Sequence, residues 1–381
     1  MSHSDFIRQL PRDHHAHDIQ RNILQRLRLD LTLLVLLLTL TGFGLVILYS
    51  ASGESAAMVA RQARYLLIGY IVMFAVAQVN VESLKRLAPI AYVAGIGLLL
   101  GVAFFGDGAK GAQRWLSIGG FRFQPSEVLK LVLPMTLAWY YAMRPLPPRF
   151  SAVMSGLVIL LVPAFLIARQ PDLGTAIIIA SSGIFVLFLA GIGWHVIAAG
   201  FALLAAAAWP LWEFVLHDYQ RGRILTMLNP ERDKLGAGWN IIQSQTAIGS
   251  GGVDGKGWLQ GTQSHLDFLP ESHTDFIVAV LAEEFGLRGV LALVLVYLLL
   301  ILRGSWIAVH AKHSFGRLLA GSITLTFFVY VFVNMGMVSG LLPVVGVPLP
   351  LVSQGGTSLV TLMIGFGILM SIRADERFIH Q

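Results

Sequence analysis

Cysteine is absent from the 381 residues. That excludes a disulfide framework, a thiol nucleophile and thiolate metal ligation. Charge is also scarce, at 13% of residues against roughly 25% in soluble domains. Apolar side chains make up 56% instead, and they come in long blocks. A helix crossing a ~30 Å hydrocarbon layer needs about 20 mostly apolar residues. The blocks are too long and uniform for the alternating strands of a barrel, and lipid demands backbone bonds satisfied within the span. The implied fold class is an all-α polytopic integral membrane protein of about ten transmembrane helices. Spans are expected at 30–50, 64–79, 88–105, 126–143, 149–168, 175–191, 194–216, 275–302, 315–338 and 351–372.

The connections carry Lys and Arg unevenly. With an inside N-terminus, inner segments hold fourteen, from Arg8 to Arg377, and short outer connections hold six. The long connection 217–274 counts little, because long loops translocate largely regardless of charge. Both termini are therefore expected in the cytoplasm. The division of the chain is an N-terminal tail 1–29, a ten-helix domain 30–373 with a large periplasmic loop 217–274 between helices 7 and 8, and a C-terminal tail 374–381. The polar N-terminal stretch precedes an apolar run too long for a cleavable signal. A net charge of +6 is accounted for by anionic membrane lipid and needs no nucleic acid.

Ionisable residues in or beside membrane helices are costly and mark function by default. Here they gather on the outer side. Lys110, Arg114, Arg122, Glu127 and Lys130 lie in 106–130; Arg169 and Asp172 lie at the next outer turn; Asp218, Arg221, Arg223, Lys256, Glu271 and Asp275 follow. Three outer turns place an acid after proline: Gln124-Pro-Ser-Glu127, Gln170-Pro-Asp172 and Leu269-Pro-Glu271. Proline fits a helix start and an acid suits the positive end of its dipole, so each acid alone reads equally as a cap. Glu127 and Lys130 share a helix face, either as a membrane-edge ion pair or as the lining of a polar cavity. Asp275 opens a long apolar block, and its face runs through Ala279, Ala282, Gly286 and Gly289, with Glu284 opposite. A carboxylate poised there at the water interface suits a general base.

Other chemistries fit poorly. The glycine-rich run 249–257 lacks the glycine and hydroxyl that a P-loop requires. No zinc spacing and no nucleophile elbow is present, although His265, Asp267, His273 and Asp275 are close enough in sequence to meet at a metal. No cofactor is evident. A divalent cation is compatible with the carboxylates without being indicated by them.

Five runs carry a resemblance: Gly111-Ala-Gln-Arg-Trp-Leu116, Phe123-Gln-Pro-Ser-Glu-Val-Leu-Lys130, Gln170-Pro-Asp-Leu-Gly-Thr175, the stretch Gly261 to Phe276 ending Ser-His-Thr-Asp-Phe, and Pro343-Val-Val-Gly-Val-Pro-Leu-Pro350. Together they closely resemble the SEDS family (shape, elongation, division and sporulation) over residues 30–373. The stretches 217–223 and 261–264 are similar to its elongation branch rather than its division branch. The resemblance implies a peptidoglycan glycosyltransferase that polymerises lipid II, releases undecaprenyl diphosphate, and works at the inner membrane with a class B penicillin-binding protein. It implies Asp275 as the essential carboxylate, taking a proton from the acceptor 4-hydroxyl. Arg114, Glu127, Lys130, Asp172, Arg221 and Arg223 are the residues expected to bind substrate, their cations meeting the diphosphate. A transporter or flippase of the same lipid is the alternative, but transporter sites lie near the bilayer midplane, whereas these charges sit at one edge. A non-catalytic scaffold is a third reading, which would not need acids and bases converging. Small residues on 315–338 and 351–372 offer a partner-facing surface, unless they pack inside the bundle.

Overall fold

In the computed structural model, residues 28–377 are described apart from 106, 110–111, 119–120, 171, 217, 234–235 and 263–271. Twelve α-helices are present among them. In chain order they are α1 (Leu31–Ala51), α2 (Ala56–Ala77), α3 (Val81–Phe105), α4 (Pro125–Ala142), α5 (Phe150–Ala168), α6 (Leu173–Leu189), α7 (Trp194–Pro210), α8 (Asp218–Leu228), α9 (Ala237–Gly251), α10 (Ile277–His310), α11 (Ser314–Val338) and α12 (Thr357–Arg377). Eight of them are long and apolar enough to cross a membrane. α6 is apolar but has 17 residues, and α4 has 18 and carries Glu127 and Lys130. With those two, the ten expected spans are all helical.

Two boundaries move for identifiable reasons. α2 starts at Ala56, not near 64, because Ser55 caps it by accepting from Met58 N; Arg61 and Gln62 are therefore helical residues. α12 starts at Thr357, so the stretch 351–356 is not helical. The expected connection between α3 and α4 is also more ordered than a loop. β1 (Asp107–Ala109), β2 (Ala112–Ile118) and β3 (Phe121–Phe123) form an antiparallel sheet in that order.

α4 and α11 form the buried centre, with α3, α6, α10 and α12 packed on them. Tyr297, Phe327 and Phe366 make a ring cluster there. α7 is the opposite case, burying none of its residues. The small residues of α11 and α12 belong to the bundle rather than to a free face. A Cβ on Gly321 would lie 2.4 Å from Leu189, one on Gly336 2.7 Å from Leu342, and one on Gly367 2.6 Å from the Met73 carbonyl.

The long connection 217–274 is structured where it is described. α9 packs along α10, and Ser244 Oγ donates to the Val338 carbonyl at 2.8 Å. α10 is not one continuous rod. Gly286 sits at φ 63, ψ −162, which breaks the helix there. Breaking a helix frees backbone groups that must find partners inside a membrane protein. The turn after α9 supplies them. Lys256 N donates to the Glu283 carbonyl and Gly257 N to that of Glu284, while Leu287 N donates back to Gly252 and Arg288 N to Val253. This is why the run 249–257 is rich in glycine: a Cβ on Gly251 or Gly255 would lie about 2 Å from an α10 carbonyl.

α1 and α10 are tied at both ends. Asp30 caps α1 by accepting from Leu33 N, and it receives Arg303 Nε at 3.2 Å and Nη2 at 2.5 Å. At the other end of the pair, Ser50 Oγ donates to buried Glu284. Beside it, fully buried Glu283 accepts from Lys256 Nζ at 2.6 Å and from Thr262 N at 2.8 Å.

Candidate active site

A cavity of about 640 Å³ opens where α4, α6 and α12 begin. Its walls bring together Arg61, Tyr65, Trp115, Glu127, Lys130 and Asp172, closed by Arg223, Thr274, Tyr330 and the segments 345–348 and 354–358. Segments far apart in sequence thus converge on one concave polar site, the arrangement expected of a catalytic pocket.

Each wall residue is placed by local structure. Pro125 opens α4 at its first position, so Glu127 falls in the first turn. Lys130 follows one turn later and donates to Glu127 Oε1 at 2.6 Å, with its Nζ 5.3 Å from the Tyr330 ring centre. Both side chains are over nine-tenths buried. Glu127 Oε2 faces no hydrogen-bond partner among the described residues. Asp172 caps α6 through Thr175 N at 3.2 Å and accepts Gln124 Nε2 at 3.0 Å. Capping and cavity lining are therefore compatible roles for one acid. The bond also joins two of the proline–acid turns; the third, at Leu269-Pro270-Glu271, lies outside the described residues. Gly174 has no room for a side chain, because a Cβ would lie 2.8 Å from the Val345 carbonyl.

Asp275 stands two residues before α10, in a non-helical turn over 272–276. The small-residue face expected to continue from it is interrupted at Gly286. Its Oδ2 lies 3.6 Å from the point where a Cβ on Gly346 would be, and Gly346 lines the cavity at φ +74. Thr274, its neighbour, is also part of the wall. Asp275 itself is not a lining residue; it stands at the rim, beside the wall residues Thr274 and Gly346.

Of the cations expected at the site, Lys130 and Arg223 line the cavity and Arg221 does not. Arg221 Nη2 instead donates to the Glu213 carbonyl at 2.8 Å. Their spacing on α8 explains the split, since residues two apart lie on roughly opposite sides of a helix of 3.6 residues per turn. Arg114 falls in β2, where its side chain lies outside the described atoms; its neighbour Trp115 lines the cavity. Among the described residues, no group of three or more His, Asp or Glu is placed to hold a metal ion.

Sequence reasoning missed Arg61, Tyr65, Tyr330 and Gln354. A span that begins at 64 leaves Arg61 in the connection before it, whereas the helix starts at Ala56. Two tyrosines in apolar helices carry no signal that separates them from core aromatics.

Comparison with known proteins places this geometry. The family model described as Cell cycle protein, FtsW, RodA and SpoVE, matches residues 30–378. The chain is 51% identical over 356 residues to peptidoglycan glycosyltransferase MrdB of Escherichia coli K12, covering 93% of this chain and 96% of that one. It is 37% identical over 367 residues to an FtsW protein of Geobacter sulfurreducens, covering 92% and 96%. Its structure is similar to a chain from a peptidoglycan synthase complex, with a TM-score of 0.81, 31% identity, and coverage of 91% and 98%. It is also similar to the rod shape determining protein RodA of Thermus thermophilus, with a TM-score of 0.69, 28% identity, and coverage of 91% and 97%. A multi-pass membrane chain matched along nearly its whole length in this way belongs to the FtsW, RodA and SpoVE family, on its RodA side.

Proposed function

We propose that the chain is a peptidoglycan glycosyltransferase that polymerises lipid II on the periplasmic face of a bacterial inner membrane during cell elongation, with Asp275 as general base. The observation that carries this reading is one cavity, in which cations from α2, α4 and α8 meet the rim beside the Asp275 carboxylate. In the proposed step the acceptor 4-hydroxyl attacks the anomeric carbon of the donor. A new C–O bond forms, the bond to the lipid diphosphate breaks, and the diphosphate leaves with the electron pair. Asp275 takes the hydroxyl proton. Arg61, Lys130 and Arg223 line the cavity where negative charge develops, and fixed cations in a water-poor site stabilise such charge strongly. The donor is already activated as a diphosphate, so no nucleotide site is required.

Under the same reading both termini lie in the cytoplasm, and a class B penicillin-binding protein crosslinks the product; the similarity to a chain of a peptidoglycan synthase complex supports that partner. The test is polymer formation from purified lipid II. Asp275→Asn keeps size and removes the base, and the expected loss is at least the ~10²-fold typical of general base removal. A folded Asp275→Asn protein that polymerises at the normal rate would defeat the assignment.

A further inference from the structure

The turn carrying Asp275 is held by its carbonyls. His273 O accepts from Gln354 N at 3.0 Å. Thr274 O accepts from Ser353 Oγ at 2.5 Å, and Asp275 O accepts from Asn334 Nδ2 at 2.8 Å. Three consecutive carbonyls are thus bound by residues 334–354, outside the turn's own helix. Ser353 is fixed in its turn. Its Oγ accepts from Leu349 N at 2.9 Å and its carbonyl accepts from Gln62 Nε2 at 3.1 Å, while Gln62 Oε1 accepts from Gly355 N at 3.3 Å.

Asn334 is the unusual member. It is fully buried in α11, among apolar neighbours, where an amide is costly unless satisfied. Its Nδ2 has two hydrogens, and both are used: one on the Asp275 carbonyl and one, also at 2.8 Å, on the Val347 carbonyl. Its Oδ1 has no partner among the described residues. The side chain therefore acts as a donor to two carbonyls that belong to opposite sides of the rim. One precedes α10; the other follows Gly346, the residue against which the Asp275 carboxylate rests. The hydrogen bonds fix which end of the amide is nitrogen, since an oxygen there would face two carbonyl oxygens.

From this geometry we infer that Asn334 is a positioning residue for Asp275: it pins the Asp275 turn to the 343–350 segment so that the carboxylate faces the acceptor hydroxyl. Ser353 is its second support. The inference rests on the reading of Asp275 as the base. A misplacement of about 1 Å at a reacting group costs on the order of 10²-fold in rate, so loss of the clamp should appear in kcat. Substrate binding through Arg61, Lys130 and Arg223 should persist.

The experiment uses the purified full-length chain with lipid II as substrate, and compares Asn334→Ala, Asn334→Asp, Ser353→Ala, Asp275→Ala and the Asp275→Ala/Asn334→Ala pair. Asn334→Ala should lower kcat by about 10²-fold with little change in KM. Asn334→Asp keeps the volume but sets an acceptor against two carbonyls, so it should fall at least as far. In the Asp275→Ala background, Asn334→Ala should cost nothing more, because residues that act as a unit are not additive. If Asn334→Asp is more active than Asn334→Ala, Asn334 only fills space and the inference is overturned. A raised KM with unchanged kcat, or an equal loss in both backgrounds, overturns it too. Should both Asn334 variants fail to fold, Ser353→Ala decides: a kcat loss with KM kept supports the clamp, and an unchanged kcat ends it. Normal turnover by Asp275→Ala would instead sink the catalytic reading itself. An inactive Asp275→Ala beside a fully active Asn334→Ala would remove only the positioning role.

Discussion

Lys130 and Glu127 show how one pair can be structural and functional at once. The two are bonded at 2.6 Å and over nine-tenths buried. Removing one partner of a buried pair strands a charge and costs ~3–5 kcal/mol, whereas replacing both with neutral groups of similar volume is often harmless. Lys130→Ala should therefore lower thermal stability in detergent by that order. The double change Glu127→Gln/Lys130→Met should recover stability yet leave lipid II polymerisation impaired, because the cavity has lost its central cation. Full activity in a stable double variant would make the pair a brace and nothing more. Both residues were legible in the sequence, since charges three apart in an apolar block announce themselves. Asn334 and Ser353 were not. Their work is done through hydrogen bonds to backbone carbonyls 59 and 79 residues away, and no local pattern encodes such a partner. Arg221 and Arg223 could not be told apart for the related reason that a basic loop residue has no register until its helix is known.

Among the elements, the broken α10 carries the clearest structural lesson. The apolar block 275–302 reads as one rod of ~42 Å, and periodicity holds no sign that the helix opens at Gly286. The glycines of 249–257 were the visible clue, and they were visible only as an unmatched phosphate loop. Their role is to let one backbone approach another. Gly255→Ala should thus destabilise by more than the ~0.5–1 kcal/mol of an ordinary glycine effect, because φ is +80 and the new Cβ would lie 2.2 Å from the Glu284 carbonyl. Gly97→Ala in α3, with nothing within 4 Å, should instead stabilise by up to about 1 kcal/mol. Unfolding midpoints of the two variants in the same detergent check both signs; equal shifts would mean the α9–α10 contact is loose. The β1–β3 sheet was equally hidden, since strands of three and seven residues are too short for alternation to register.

For the whole molecule, the ten spans were readable because apolar length is a local property of sequence. Which faces remain free was not. The glycines of α11 and α12 turn out to admit Leu189, Leu342 and the Met73 carbonyl, while α7 stands unburied. Sidedness can be measured directly, because the chain has no cysteine of its own. Single cysteines near 110 and 260 should react with impermeant reagent from outside, and those near 146 and 312 only after the membrane is opened. The reverse pattern would place the cavity on the wrong side for an external glycan.

The ties between α1 and α10 have a further meaning. Asp30 to Ser50 spans about 30 Å along a helix at ~1.5 Å per residue, which is the thickness of a hydrocarbon core. The Asp30–Arg303 pair and the Ser50–Glu284 bond therefore resemble a caliper, with jaws one hydrocarbon thickness apart and no charged side chain on α1 between them. A thinner membrane would strand apolar α1 side chains in water, and a thicker one would draw the carboxylates into oil. Each ångström of mismatch costs only a fraction of a kcal/mol, but the jaw at Glu284 stands on the first turns of α10, just beyond the turn that carries Asp275. Polymerisation in vesicles graded by acyl-chain length should consequently peak at an intermediate thickness, and a flat profile would mean that the caliper does not grip.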